Sequence, residues 1–213
     1  FMAESADILT PPGTVVILPD MGAGCSMADM ANYEQAVDAW EEIHAVYTGG
    51  QGDLSPPASH TRVIPICYMN SSAAIKAFCG RNGGAVCTSS NCERVFEWAL
   101  AGGTESKRDD EEIKILFLPD QHLGRNTAAA MGYDIHTQMC TWDPRHPDGL
   151  GGLDDQTIRG STFILWKGHC SVHKLFRPEH VDQVRADWPD VTVMVHPECA
   201  HEVAQKAHMI GST

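Results

Sequence analysis

Short apolar runs alternate with amphipathic stretches along most of this chain. Residues 63–68, 85–88, 113–118, 163–166 and 191–195 have the length and composition of buried strands, and Met209 and Ile210 read as a last short one. Between them, residues 71–78, 91–101, 178–188 and 202–207 read as helices, and residues 126–131 as the beginning of another. Nearer the start, residues 1–9 predict a helix ended by Thr10, Pro11, Pro12 and Gly13. Residues 15–18 predict a strand, and a further helix runs through Ala39, Trp40, Ile43 and His44. Two polar stretches, 103–112 and 143–156, read as surface loops. Residues 48–60 are rich in glycine, proline and serine and predict a domain boundary. Strands separated by helices put the chain in the α/β class, with parallel sheets covered on both faces and ligands bound at the strands' carboxyl ends.

Two strand ends carry the same grammar. In STFILWKGHCSVH (161–173) an apolar run is broken by Lys167 and Gly168, and Cys170 follows at the predicted opening of a helix. In TVVILPDMGAGCSMADM (14–30) the run ends in Gly22 and Gly24, and Cys25 follows. A helix amino terminus offers unpaired N–H groups and the positive end of a dipole, which favour the metal-binding thiolate. Two such cysteines suggest one metal site. Cys67 and Cys87 lie inside strands, and Cys79, Cys92 and Cys140 follow no glycine turn, so these five read as packing residues, as does Cys199.

Composition narrows the possible partners. The chain has 213 residues, 43% hydrophobic and 20% charged, enough for a sizeable core. A formal charge of −13 argues against nucleic acid and anionic membranes, both of which would be repelled. No apolar run approaches the roughly 20 residues of a membrane span, and the first ten residues lack the features of a signal peptide. Eight cysteines in a chain that can build a core without disulfides point to a reducing compartment, the cytoplasm or one such as a plastid. Both ends read as cut, because Phe1 precedes an already formed helical pattern and Gly211-Ser212-Thr213 stops in a loop; a fragment is expected.

The residues that follow the strands are polar: Cys25, Tyr68, Asn70, Ser89, Asp120, Cys170, His196, Glu198 and Thr213. VIPICYMNSS (63–72) and VTVMVHPECA (191–200) repeat one design, an apolar strand ending in polar residues before a helix, which suggests related units packed about a shared centre. The two repeats would bring a phenol, an amide, an imidazole and a carboxylate toward one place. His169 and His173 flank Cys170 as further ligand candidates. Residues 88–91 (TSSN) read either as a helix cap or as an anion site. No glycine-rich phosphate loop occurs, so a nucleotide is not expected.

GAGCSMADM (22–30), YMNSSAAIKA (68–77), TSSN (88–91), LPDQHLGRNTA (118–128), WKGHCSVH (166–173), HPECAHEV (196–203) and IGST (210–213) together resemble the quinolinate synthase A family, over nearly the whole chain and in order. The resemblance implies condensation of iminosuccinate (iminoaspartate) with dihydroxyacetone phosphate to quinolinate, phosphate and water in NAD biosynthesis. It implies three similar three-layer αβα domains in pseudo-threefold arrangement around a 4Fe-4S cluster, with one cysteine ligand from each. Residues 1–60 would end the first domain, 61–170 form the second and 171–213 begin the third. Cys25 and Cys170 match two cluster ligands, a third being expected beyond Thr213; a histidine and tyrosine motif would precede Phe1. Tyr68, Met69, Asn70, Ser89, His196, Pro197, Glu198 and Thr213 match the substrate contacts. Tyr68 and Glu198 are the acid–base candidates, His196 and Asn70 would orient oxygens, and the cluster would act as a Lewis acid. An L-aspartate oxidase or dehydrogenase would supply iminosuccinate. Other readings are a catalytically incomplete or degenerate remnant of that fold and a zinc hydrolase built on Cys25, Cys170 and a histidine; for the latter no HExxH or CxxC pattern occurs.

Overall fold

The computed structural model describes residues 1–48 and 60–212, so Thr213 and all but the two ends of the 48–60 loop lie outside the described residues. Strands β1 (Thr61–Tyr68), β2 (Ala85–Cys87), β3 (Glu112–Leu118), β4 (Met139–Trp142) and β5 (Phe163–Trp166) form one sheet in the order β2-β1-β3-β5-β4, with every pair parallel. Along β1, Val63 and Cys67 face one apolar cluster while Ile64, Ile66 and Tyr68 face the other. Burial of both faces explains why these strands read as continuous apolar runs.

Helices α1 (Met2–Leu9), α2 (Tyr33–Thr48), α3 (Ala73–Arg81), α4 (Cys92–Leu100), α5 (Gln121–Ala130) and α6 (Asp155–Gly160) accompany the sheet. Ala39 and Ile43 of α2, Phe78 of α3 and Ile158 of α6 share one cluster; Phe96 of α4 and Leu123 of α5 share the other. The chain is therefore α/β with a three-layer arrangement, as expected. Strand-to-strand steps toward β2 and toward β4 place their helices on opposite faces, the result of right-handed crossovers. Lys114, fully buried in β3, is neutralised by Glu112 Oε1 and also donates to Arg159 O, each at 2.7 Å.

Beyond β5 the chain forms a smaller unit. Helix α7 (Pro178–Asp187), strand β6 (Met194–Val195), helix α8 (His201–Lys206) and strand β7 (Met209–Ile210) pack around Val181, Cys199 and Val203, with β6 and β7 parallel. The buried amide of Asn126 on α5 ties this unit to the larger sheet, donating to the carbonyls of Pro197 and Cys199 at 2.8 Å each.

Several expectations are corrected. Residues 15–18 form no strand, and Val15 and Ile17 are about four-fifths exposed; a strand needs a hydrogen-bonding neighbour, and among the described residues none pairs with it. Cys25 and Cys170 open no α-helix: each precedes a 3₁₀ turn, at Ala28–Met30 and His173–Leu175, and α2 and α7 begin only at Tyr33 and Pro178. Helix α5 ends near where residues 126–131 were expected to begin one, because Asp120 caps it early by accepting from His122 N and Leu123 N. The expected strand at 191–195 shrinks to Met194–Val195, the part that β7 reaches. Strand β4 and helix α6 were not foreseen; both are short, and α6 begins inside the polar stretch 143–156.

Gly168 forms an isolated parallel bridge with Asp120, and a Cβ there would lie 2.0 Å from Pro119 O. Gly168→Ala must push β3 and β5 apart at their carboxyl ends, and we expect a loss of about 1–3 kcal/mol, typical of overpacking, read as a lower urea midpoint. Gly160→Ala, where an added Cβ meets nothing within 4 Å, should leave the midpoint unchanged or slightly raised.

Candidate active site

The chain leaves β1 toward β2 but leaves β3 toward β4, so the two loops part and open a crevice at the sheet's carboxyl edge. Tyr68, Met69 and Asn70 form one wall. Met69 N donates to Cys87 O at 2.8 Å and Ser71 Oγ to Tyr68 O at 2.8 Å, which fixes the turn before Ser72 caps α3. Asp120 lies next along the edge, and Gly168, two residues before Cys170, lies beyond it. Tyr68 is buried on the face covered by α4 and α5.

His196, Pro197 and Glu198 reach this edge from the smaller unit through the Asn126 clip. Glu198 is only 3% exposed, with Oε2 3.6 Å from His173 Nε2 and Oε1 3.8 Å from His196 Nδ1. The two imidazoles stack at 4.4 Å and 11°. Ser89, in the turn before α4, meets Ser212 through its hydroxyl at 2.8 Å. Both serines line a cavity of about 350 Å³, together with Asn126 and Pro197. Thr213, the last expected contact, lies outside the described residues.

Burial and the Glu198 carboxylate both push the Tyr68 phenol above its usual range, so at neutral pH it holds its proton and donates rather than accepts. Burial lowers His196, and the His173 ring adds to that while Glu198 opposes it. Asp120 is fully buried with no partner for Oδ2; burial first, and then Glu198, push it up to about 7. The environments of neighbouring acids are thereby driven apart, a pattern suited to proton transfer.

The two cysteine loops lie side by side: Ser26 Oγ, just after Cys25, donates to Ser171 Oγ, just after Cys170, at 3.1 Å. Both thiols are free and half-buried. The backbone N–H groups of His173 and Val172 do lower Cys170 as a strand-end turn should, but burial outweighs them and its thiol is raised, contrary to expectation. A bound cation would reverse that balance by stabilising the thiolate. The donor set fits a thiolate-held metal centre, since the ligating atoms of Cys170, His173 and Glu198 also lie within 4.8 Å of one another.

Two contributors carry no role that the sequence assigns: Asp120 reads as a strand-end residue and Asn126 as the start of a helix. His173, a ligand candidate from its place beside Cys170, does group with Cys170 and Glu198. The signal for Asp120 was its place after β3; nothing local in the sequence marks Asn126 as a clip.

The Asp120 carboxyl is raised in the folded chain, so the stability it allows is complete at low pH and is lost as pH climbs toward about 7. Asp120→Asn keeps an oxygen for the helix cap and cannot ionise. Relative to this variant, the wild-type melting temperature should fall as pH rises from about 4 to about 7, then run parallel to it; a constant difference across that range contradicts a raised Asp120.

The sequence profile described as "Quinolinate synthetase A protein" matches residues 1–213. Relatives named quinolinate synthase include those of a Nocardioides species, 54% identical over 216 residues, Acidobacterium capsulatum, 52% over 213, and Bacillus anthracis, 49% over 213. Each alignment covers 100% of this chain and 50 or 51% of the relative. The chain thus spans about half the length of the curated relatives it matches, and with its whole length matched by the profile it belongs to the quinolinate synthetase A family.

Proposed function

We propose that the whole protein is a quinolinate synthase that condenses iminosuccinate with dihydroxyacetone phosphate to give quinolinate, phosphate and water, and that these residues hold much of its substrate site. The observation that carries the reading is the convergence of Tyr68, Glu198, His196 and the Ser89–Ser212 pair on one sheet edge beside the two cysteine loops.

In this reading Cys25 and Cys170 hold a 4Fe-4S cluster, with a third cysteine from outside these residues. Such a cluster, when bound, supplies a Lewis-acidic iron without a protein ligand. The chain's own groups do the rest. Glu198, beside the two stacked imidazoles, accepts protons during condensation and ring closure. Tyr68, which holds its proton at neutral pH, returns one to a departing hydroxyl. Asn70 and His196 orient carboxylate or carbonyl oxygens, Met69 and Pro197 shape the walls, and Ser89 with Thr213 holds a carboxylate or phosphate. A net charge of −13 is no obstacle, because local donors set the potential a substrate meets.

The same reading assigns residues 1–60, 61–170 and 171–213 to successive αβα units in pseudo-threefold arrangement, although the buried face of α2 packs on the middle sheet. The exposed Val15 and Ile17 support a first unit completed by other parts of the protein. An L-aspartate oxidase or dehydrogenase is the proposed supplier of iminosuccinate. No helix among the described residues is long and apolar enough to cross a membrane, and eight unpaired cysteines favour the cytoplasm or another reducing compartment such as a plastid.

The grouping of Cys170, His173 and Glu198 supports a second reading, a single zinc ion. Anaerobic reconstitution of the full-length protein separates the two. We expect about four irons and four sulfides per chain, lost in Cys25→Ala and Cys170→Ala; stoichiometric zinc without iron would sink the cluster. Glu198→Gln should keep its iron and lose about 10²–10⁴-fold in kcat, the usual worth of an acid–base group, and Tyr68→Phe should lose a similar factor. Wild-type turnover excludes a degenerate remnant.

A further inference from the structure

A second cavity, of about 320 Å³, opens on the same sheet edge beyond Gly168, between the loops that follow β4 and β5. Its lining includes Arg145, Lys167, His169, Lys174, Gln121 and Asp143. A chain with 28 acidic and 15 basic side chains has thus gathered three of its fifteen cations around one cavity. Asp143 is the acid there, and it is committed: it binds Lys167 Nζ at 2.7 Å and accepts from Arg145 N at 3.0 Å. Among the described residues, neither the Arg145 nor the Lys174 side chain has a carboxylate partner.

The unbalanced charge is felt by its neighbours. His122, on the first turn of α5, is pushed down to about 4 by burial and by Arg125, His169 and Lys174, and its buried Nδ1 has no partner. Arg125 spends its donors on Gln121 Oε1 and Thr141 Oγ1, both uncharged. Cations held together in a concave surface repel one another and focus a positive potential, which a bound anion relieves.

We propose that this cavity is a binding site for a small polyanion of the phosphate class, held by Arg145 and Lys174 with His169 and Gln121 as hydrogen-bond donors. The site does not depend on the reaction proposed above. None of its residues has a substrate role in that reaction, and among the described residues no lysine or arginine lines the Ser89–Ser212 cavity.

Site-localised lysine reactivity tests it in the full-length protein. Acetylation by limiting acetic anhydride is followed peptide by peptide, with and without pyrophosphate and at matched ionic strength. Lys174 should react about tenfold more slowly at pyrophosphate ten times its dissociation constant, when about a tenth of sites are free. Lys206, paired with Asp182 on the far unit, should not change. Arg145→Ala should abolish the protection of Lys174 and leave turnover unchanged; Arg145 is exposed and, among the described residues, its side chain makes no hydrogen bond or ion pair, and a melting temperature equal to wild type checks that the fold is kept. Inorganic phosphate should protect in the same place at higher concentration. The proposal is overturned if pyrophosphate leaves the Lys174 rate unaltered, or if Lys174 is unreactive without any added anion because carboxylates elsewhere in the protein already cover it. Neither result would bear on iron content or turnover, so the two readings fail separately.

Discussion

A parallel sheet covered on both faces leaves only its edges open to a ligand. Here the central strands of the larger sheet are buried from both sides, while Val86 on the edge strand β2 is exposed, so polar side chains gather at the residues just after the strands. The order β2-β1-β3-β5-β4 then selects a place along that edge, because β1 and β3 send their loops in opposite directions. Tyr68 and Asp120 are polar for that reason, while Ile66 and Phe117, two or three residues earlier, are wholly buried and apolar.

Proximity in a low-dielectric setting gives this edge its chemical character. Glu198, Asp120 and Tyr68 are all buried, and the Glu198 carboxylate adds to burial in raising both Tyr68 and Asp120. The stacked imidazoles of His173 and His196 stand beside Glu198, at 3.6 and 3.8 Å from its carboxylate oxygens. Such a cluster is costly for folding and is held in place by the surrounding apolar core, in which Phe96, Phe117 and Phe163 pack edge-on or tilted at ring separations of 5.1–5.2 Å. The Cys170 thiol at its margin has the same dependence, since burial is the main cause that raises it.

The larger sheet was legible in the sequence because buried parallel strands are short, continuous and bounded by turn residues, as 63–68, 113–118 and Phe163–Trp166 are. Residues 15–18 have the same signature and form no strand, because apolar composition reports a wish for burial and not the neighbour that satisfies it. Met139–Trp142 went unread for the opposite reason: with a cysteine, a threonine and a tryptophan over four residues, its strand character comes from lying beside β5. Local pattern found the residues that line the crevice one strand end at a time. The joining of the two units was out of its reach, since Asn126 and residues 197–199 are some seventy positions apart and meet through a buried amide that leaves no periodic trace.

That amide addresses only main-chain atoms. Asn126 takes the carbonyls of Pro197 and Cys199 and, through Oδ1, the ring of His201, while the side chains of His196 and Glu198 project away from the contact toward Tyr68 and His173. Attachment and reactivity are thus carried by different atoms of the same short turn. The side chains of such a turn can be rewritten while the turn stays docked, which gives the architecture room to change what it presents at the crevice without first dismantling its assembly.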